Sequence, residues 1–378
     1  MKKLVFMLIV CIACITSYGQ NSNDELLKKL VEKNILTQSE ADEIKQESEP
    51  KEEKKNSFEE TTKKIREAFN TPYMTFGGYG QFLYRYTDAG DIRHNAEPRT
   101  MFLSMSGELV PNLKYLIFAD FVNPMLYEYY MEWTPSTSFN IRGGQMKTPL
   151  SIENQFSASA LDAILNTRSI SSLTGMAADV LTPRRTNSSG GRDIGVRVAG
   201  KLCNDFFDYA VGLYQGAGLN TSENNNSKDF AGSLYIQPFK GFRVGGSAYF
   251  GEANYSTDNI EPILSHVRNR WVLSTEYDSN RFYARAEWLH GNDGGIKREG
   301  LYGTATWYFT NKLHALAKVD YYNQDKEINS EVVDYTVGLT YWFYKRCRLQ
   351  LNYTYSDFNS NWDANNSNVV LGQLQVVF

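Results

Sequence analysis

From Thr71 to the end of the chain, apolar and polar residues alternate with a period of two. In 312–322, Leu313, Ala315, Ala317, Val319 and Tyr321 fall on one side of an extended backbone, and His314, Lys318 and Asp320 on the other. In 281–290, Phe282, Ala284, Ala286 and Trp288 oppose Arg281, Tyr283, Arg285 and Glu287. The final segment, 368–378, sets Val370, Gly372, Leu374 and Val376 against Leu371, Gln373, Gln375 and Val377, and ends on Phe378. Strand side chains point alternately to opposite faces, so one face suits lipid and the other suits water or a packed lumen. About sixteen such segments can be counted, each near the ~9–11 residues that a tilted strand needs to cross a bilayer.

Their connections alternate in length. Val110-Pro111, Cys203-Asn204 and Asn311 are short, whereas 87–98, 148–191, 216–228, 252–265, 291–299, 323–332 and 357–367 are long. Only 122–125 breaks the alternation. The pattern predicts an all-β chain, a sixteen-stranded antiparallel transmembrane β-barrel over 71–378 with short turns on one side and longer loops on the other. A soluble sandwich also alternates, but it does not usually carry apolar side chains on the outer face of every strand.

Composition alters this picture only at the N-terminus. Beyond the first twenty residues no apolar run approaches the ~20 residues of a membrane helix. The 25 Tyr and 21 Phe suit the aromatic girdles of a barrel. Met1-Lys2-Lys3, the apolar run Leu4 to Ile15 and the small residues around Ser17-Tyr18-Gly19 read as a signal peptide over 1–19. That implies export to the outer membrane of a Gram-negative bacterium. Cys11 and Cys14 lie within this segment, where lipidation of Cys14 is disfavoured by Cys11 in a position that prefers an aliphatic residue.

Residues 20–70 are charged and nearly free of aromatics, a short α-helical periplasmic extension and linker. Helices are expected over 24–33, where Asn23 is the cap, over 38–46 behind the capping box Thr37-Gln38-Ser39-Glu40, and weakly over 58–69. The segment 22–69 is either a solvated extension or a module that contacts a periplasmic or cell-wall partner. Its leucine stripe is too short for a coiled coil, which favours the extension.

The formal charge of −4 gives no warrant for nucleic-acid binding. The mature chain keeps Cys203 and Cys347, which the strand order places far apart around a barrel, as free thiols. Its four histidines, His94, His266, His290 and His314, form no metal-ligand spacing, and no cofactor motif is present. Gly77-Gly78-Tyr79-Gly80 precedes no helix and is not a nucleotide loop. His290 with nearby Asp293 resembles half of a hydrolase site, but a loop position accounts for them. The chain is read as a non-enzyme.

The longest connection, 148–191, carries Phe156, Leu161, Ile164, Leu165, Leu173, Met176, Val180 and Leu181. These would face water on an outward loop, so an inward fold that narrows the lumen is expected, with a short helix over 158–165. Arg168, Arg184 and Arg185 on this loop would then replace water around a passing anion. Residues 71–378 hold about 27 Lys and Arg against about 30 Asp and Glu, so distribution matters more than net charge. By parity Arg142, Arg197, Arg243, Arg268, Arg270, Arg281, Arg285, Lys318, Arg346 and Arg348 face the lumen. Glu108, Asp120, Glu128 and Glu132 cluster on the second to fourth strands. The expectation is an acidic wall opposite a basic one, with a field across the lumen; Glu276, Glu287, Asp320 and Asp334 are read as neutralising neighbouring bases.

Ile141-Arg142-Gly143-Gly144-Gln145-Met146-Lys147-Thr148-Pro149-Leu150-Ser151-Ile152-Glu153, followed by Gly191-Arg192-Asp193-Ile194-Gly195-Val196, resembles the phosphate-selective porin O and P family, Bacteroidetes type. The shared features are a Pro-x-Ser-x-Glu start to the third loop and a Gly-Arg-Asp-x-Gly strand after it. Gly77-Gly78-Tyr79-Gly80-Gln81 is similar too. The resemblance covers about 71–378 and implies a sixteen-stranded, homotrimeric porin in outer-membrane lipid whose third-loop arginines bind small anions such as phosphate. The resulting expectation is passive diffusion of small hydrophilic solutes, anion-biased and extending to phosphate or polyphosphate selectivity. The substrate-contact candidates are Arg168, Arg184, Arg185, Arg142, Arg197, Arg285 and Lys318. The alternative is an outer-membrane scaffold or adhesin with a closed barrel.

Overall fold

The computed structural model describes residues 70–71, 73–175, 190–223, 225–255 and 264–378. The signal peptide, the helical extension and its helices, Cys11 and Cys14, and Arg184 and Arg185 lie outside the described residues. Sixteen strands are present: β1 (Met74–Thr87), β2 (His94–Val110), β3 (Leu113–Asp120), β4 (Met125–Ser136), β5 (Phe139–Lys147), β6 (Arg192–Leu202), β7 (Phe207–Tyr214) and β8 (Asp229–Phe239) form the first half. The second half comprises β9 (Phe242–Tyr255), β10 (Leu264–Asp278), β11 (Phe282–Asp293), β12 (Ile296–Tyr308), β13 (Leu313–Asp325), β14 (Ser330–Tyr344), β15 (Cys347–Phe358) and β16 (Ser367–Val377). A two-residue bridge, Asn70–Thr71, folds back on β1.

Every strand pairs antiparallel with its sequence neighbours, and β16 pairs with β1 in the register Gln375↔Gln81, so the sheet closes. Phe378 completes the seam by exchanging backbone hydrogen bonds with Gly78 in both directions, at 3.2 and 3.1 Å. Closure leaves no edge of unpaired backbone groups, the condition for a sheet to sit in hydrocarbon. The exterior fits that medium: Leu273, Leu301, Val319, Val337, Leu339, Leu351, Leu374 and Val376 are exposed. Aromatic rings gather beside the short turns, where Trp133 meets Phe139, Phe239 stacks on Phe242 and Phe282 stacks on Trp307. The chain is a β-barrel of the Gram-negative outer membrane.

Three loops are shorter than expected. β2 begins at His94, β11 and β12 are joined by Gly294-Gly295 alone, and β13 and β14 run to Asp325 and from Ser330. Strands above the hydrocarbon no longer need apolar residues on one face, so pairing continues where the alternation has faded. Asp293 is therefore the last residue of β11 and not part of a loop. Cys203 and Cys347 are both free.

Candidate functional site

The third loop folds into the barrel. Two short helices, α1 (Ile152–Gln155) and α2 (Arg168–Leu173), are its only regular elements among the described residues. The helix expected over 158–165 is absent. Donors from the wall take the carbonyls that such a helix would have used. Gln81 on β1 donates to Ala158 O, Gln375 on β16 to Ser159 O, and Arg348 and Gln350 on β15 to Leu161 O and Asp162 O, at 2.9–3.3 Å. Arg99 on β2 donates to Ile164 O at 2.7 Å, and Lys318 on β13 to Leu165 O at 3.4 Å. The apolar spacing of 158–165 instead matches contact with the wall: Leu161 and Ile164 are 3 % and 1 % exposed.

Wall carboxylates hold the helix N-termini, whose first N–H groups have no partner within the helix. Glu287 on β11 accepts from Ile152 N (2.6 Å), Glu153 N (3.3 Å) and Ser151 Oγ (2.7 Å). Ser274 and Tyr302 also donate to it. Asp320 on β13 accepts from the N–H groups of Arg168 and Ser169. A negative group at a helix start also complements the helix dipole. Glu287 and Asp320 thus seat the loop, whereas the sequence had them neutralising bases. Room for α2 comes from Gly300 on β12, where an added Cβ would lie 2.4 Å from Ser169 Cβ.

The Pro-x-Ser-x-Glu motif acquires a physical role here. Ser151, at φ 68°, caps α1 by accepting from Asn154 N while its hydroxyl donates to Glu287. Glu153 ties the starts of α1 and α2 together and to the wall: it accepts from Thr167 N and Oγ1, each at 2.7 Å, and from Arg285 at 2.9 Å. Burial opposes ionisation of Glu153, but Arg285, Lys318 and the Thr167 donors outweigh it and hold the carboxyl below its ordinary range. The nearby Asp162 carboxyl is pushed up by burial, only partly countered by Arg285 and Arg348.

Most of the described arginines and lysines singled out in the sequence have a partner. Arg168 makes a two-pronged pair with Asp334, at 2.7 and 2.9 Å, and burial of its guanidinium is outweighed by Asp334 and Asp320, which raise its pKa. Arg142 lies 2.5 Å from Glu132 and over the Tyr130 ring, and Arg197 lies 3.7 Å from the same Glu132. Arg285 binds Glu153, Tyr302 and Tyr283, and Lys318 binds Leu165 O. Arg243 pairs with Glu276 and Asp208, and Arg270 and Arg298 share Asp293. That last pairing occupies the carboxylate once set beside His290. Glu128 and Glu132 are therefore paired with arginines on the neighbouring strands β5 and β6, so the acidic cluster of β2–β4 is interleaved with bases. Arg281 and Arg346 lie exposed at turns.

The loop is seated mainly on β9–β16 and touches β1, β2 and β5 through Gln81, Arg99 and Lys147, so space remains between it and β1–β6. A cavity of about 330 Å³ opens there, lined by Arg99, Lys147, Arg192, Asp120 and the rings of Tyr79, Phe102, Phe118 and Tyr127, with Phe156 and Asn166 on the loop side. Arg192 is paired with Glu128 at 2.6 Å. Among the described residues neither Arg99 nor Lys147 has a carboxylate partner: Arg99 binds Ile164 O and Gln373, and Lys147 binds Phe156 O at 2.5 Å. These two cations escaped the sequence reading. Arg99 follows a segment whose polar sequence reads as loop, and Lys147 falls on the lipid parity of β5. Gly144 at φ 133° interrupts that strand's regular geometry, and a lysine facing hydrocarbon was the available warning.

No protein-family model and no curated protein matches the sequence. Solved structures similar in fold include an anion-selective porin from Comamonas acidovorans (12% identity, TM-score 0.59), with 81% of this chain and 99% of that chain covered. The outer-membrane channel DcaP of Acinetobacter baumannii is similar at 12% identity and TM-score 0.58, with 81% and 97% covered. Salmonella typhi OmpF in complex with daunomycin is similar at 13% identity and TM-score 0.57, also with 81% and 97% covered. At these identities the likeness establishes a porin-type barrel.

Proposed function

We propose that the protein is a passive channel for small hydrophilic solutes across the outer membrane, biased toward anions, with the third loop as its constriction. The carrying observation is the cavity beside the docked loop, where Arg99 and Lys147 line the space without carboxylate partners among the described residues. Both cations donate to loop carbonyls and keep further donor capacity for an anion, which can bind briefly and leave. The anion selectivity named for the Comamonas protein agrees with this reading. Phosphate or polyphosphate selectivity is the narrower form, motivated by the sequence resemblance. In that form Arg184 and Arg185 act as ligands, because Arg168, Arg142, Arg197 and Arg285 are engaged by carboxylates and Lys318 by the loop. A homotrimer belongs to the same proposal, in which 22–69 is a solvated periplasmic extension.

The test is the reversal potential of the purified protein in a planar bilayer across a KCl gradient, then with phosphate added. Anion selectivity is expected, falling in an Arg99→Gln, Lys147→Gln double variant. Block by low phosphate that disappears on replacing Arg184 and Arg185 with Ala would support the narrower form. An insertion-competent barrel without conductance would overturn the channel and favour the scaffold.

A further inference from the structure

The cavity beside the loop combines charges with rings in a way that simple ion passage does not require. Phe102 and Phe118 stack at 4.3 Å with an interplanar angle of 6°, Tyr79 lies 5.2 Å from Phe102, and Tyr127 meets Phe102 edge-on at 4.9 Å. All four rings are on β1–β4 and line the same space as Arg99, Lys147 and Arg192. Around them stand three cations and two carboxylates. Asp120 is held by the N–H groups of Met101 and Val122, and Glu128 is taken by Arg192. Arg99 is thus left without a carboxylate of its own among the described residues.

Apolar ring faces gain nothing from a strongly hydrated inorganic anion. They do gain from covering a flat apolar body, through area removed from water and through ring–ring geometry. A volume of about 330 Å³ falls within the usual range for small-molecule sites, roughly 300–1,000 Å³. We propose that this cavity is a transit site for small organic carboxylates with an aromatic or flat apolar body, the carboxylate meeting Arg99 and Lys147 and the body lying on the Phe102–Phe118 wall. The inference rests on the channel reading and names its solute class. It separates the ring-lined wall from any phosphate site on the loop.

The experiment uses the full chain in planar bilayers with benzoate, acetate, phosphate and benzyl alcohol in turn. Benzoate should interrupt the chloride current at concentrations about tenfold below those needed for acetate, as expected for added ring contact. Benzyl alcohol, with the ring but no charge, should interrupt it weakly. Phe118→Leu should reduce the preference for benzoate over acetate by about threefold to tenfold. If that variant does not fold, judged by heat-modifiable electrophoretic mobility, the wild-type solute series still decides. An anion-selective channel that treats benzoate like acetate overturns the inference and leaves the channel reading standing. Equal interruption by benzyl alcohol overturns the carboxylate assignment. Loss of anion selectivity in the wild type removes both.

Discussion

Replacing Glu287 with Gln should release the first part of the third loop while the barrel stays closed. Glu287 is 1 % exposed and accepts from five donors, three of them on the loop segment Ser151–Glu153. Gln keeps the size and one oxygen but turns the other into an NH₂ that confronts groups which themselves donate. Hydrogen bonds to a charged group are worth about 1.5–3 kcal/mol each. Losing two at the lower figure gives roughly 3 kcal/mol, or about a hundredfold shift between docked and released loop. Exchange of the Ile152 and Glu153 amide hydrogens reads that equilibrium directly and should quicken by about that factor. α2 remains held by Asp320 and Asp334, so conductance should become larger and noisier without unfolding. A correctly folded variant with wild-type exchange at both amides would refute the claim that Glu287 seats the loop.

Gly300→Ala should push α2 from the wall, because the new methyl would sit 2.4 Å from Ser169 Cβ; overpacking of this kind costs about 1–3 kcal/mol. A structure of the variant with the Ser169–Asp320 bond intact would contradict this. The lowered pKa of Glu153 means its contribution to docking is complete above the ordinary value of 4.5 and is lost only as pH falls through the depressed one. Acid titration of loop exchange should therefore show docking retained at pH 5 and released further down, with Glu153→Gln already loosened at neutral pH. Asp162 has the opposite sign: its raised pKa means its favourable contribution is complete below the ordinary value of 3.8 and is lost as pH rises. Asp162→Asn should leave stability at pH 7 unchanged or higher, measured as the urea midpoint in liposomes, and a clear loss would count against this account.

The strands were legible because the bilayer imposes a period of two on each one locally. Lys318 and Asp320 against Val319 already declare which side is which, and both are buried as their parity requires. The inward loop was legible for a related reason, since Leu161, Ile164 and Leu173 had no other apolar place to go. Its internal shape was not, because backbone carbonyls satisfied by side chains from distant strands leave no periodic trace. The partners of the arginines were hidden too. Arg285 and Glu153 are separated by 132 positions, and Arg168 and Asp334 by 166. An arginine's residue type does not announce whether a carboxylate awaits it across the lumen. The cavity cations stayed out of sight because one lies just past an apparent loop and the other on an irregular stretch of strand.

From Ala158 to Leu165 the loop is gripped by its carbonyls, which every residue type supplies. Side chains at Ala158 and Leu165 can therefore change without surrendering the hold on the backbone at those positions. Seating is in this way separated from side-chain identity at those positions. A single substitution at such a position arrives on a loop that keeps its place.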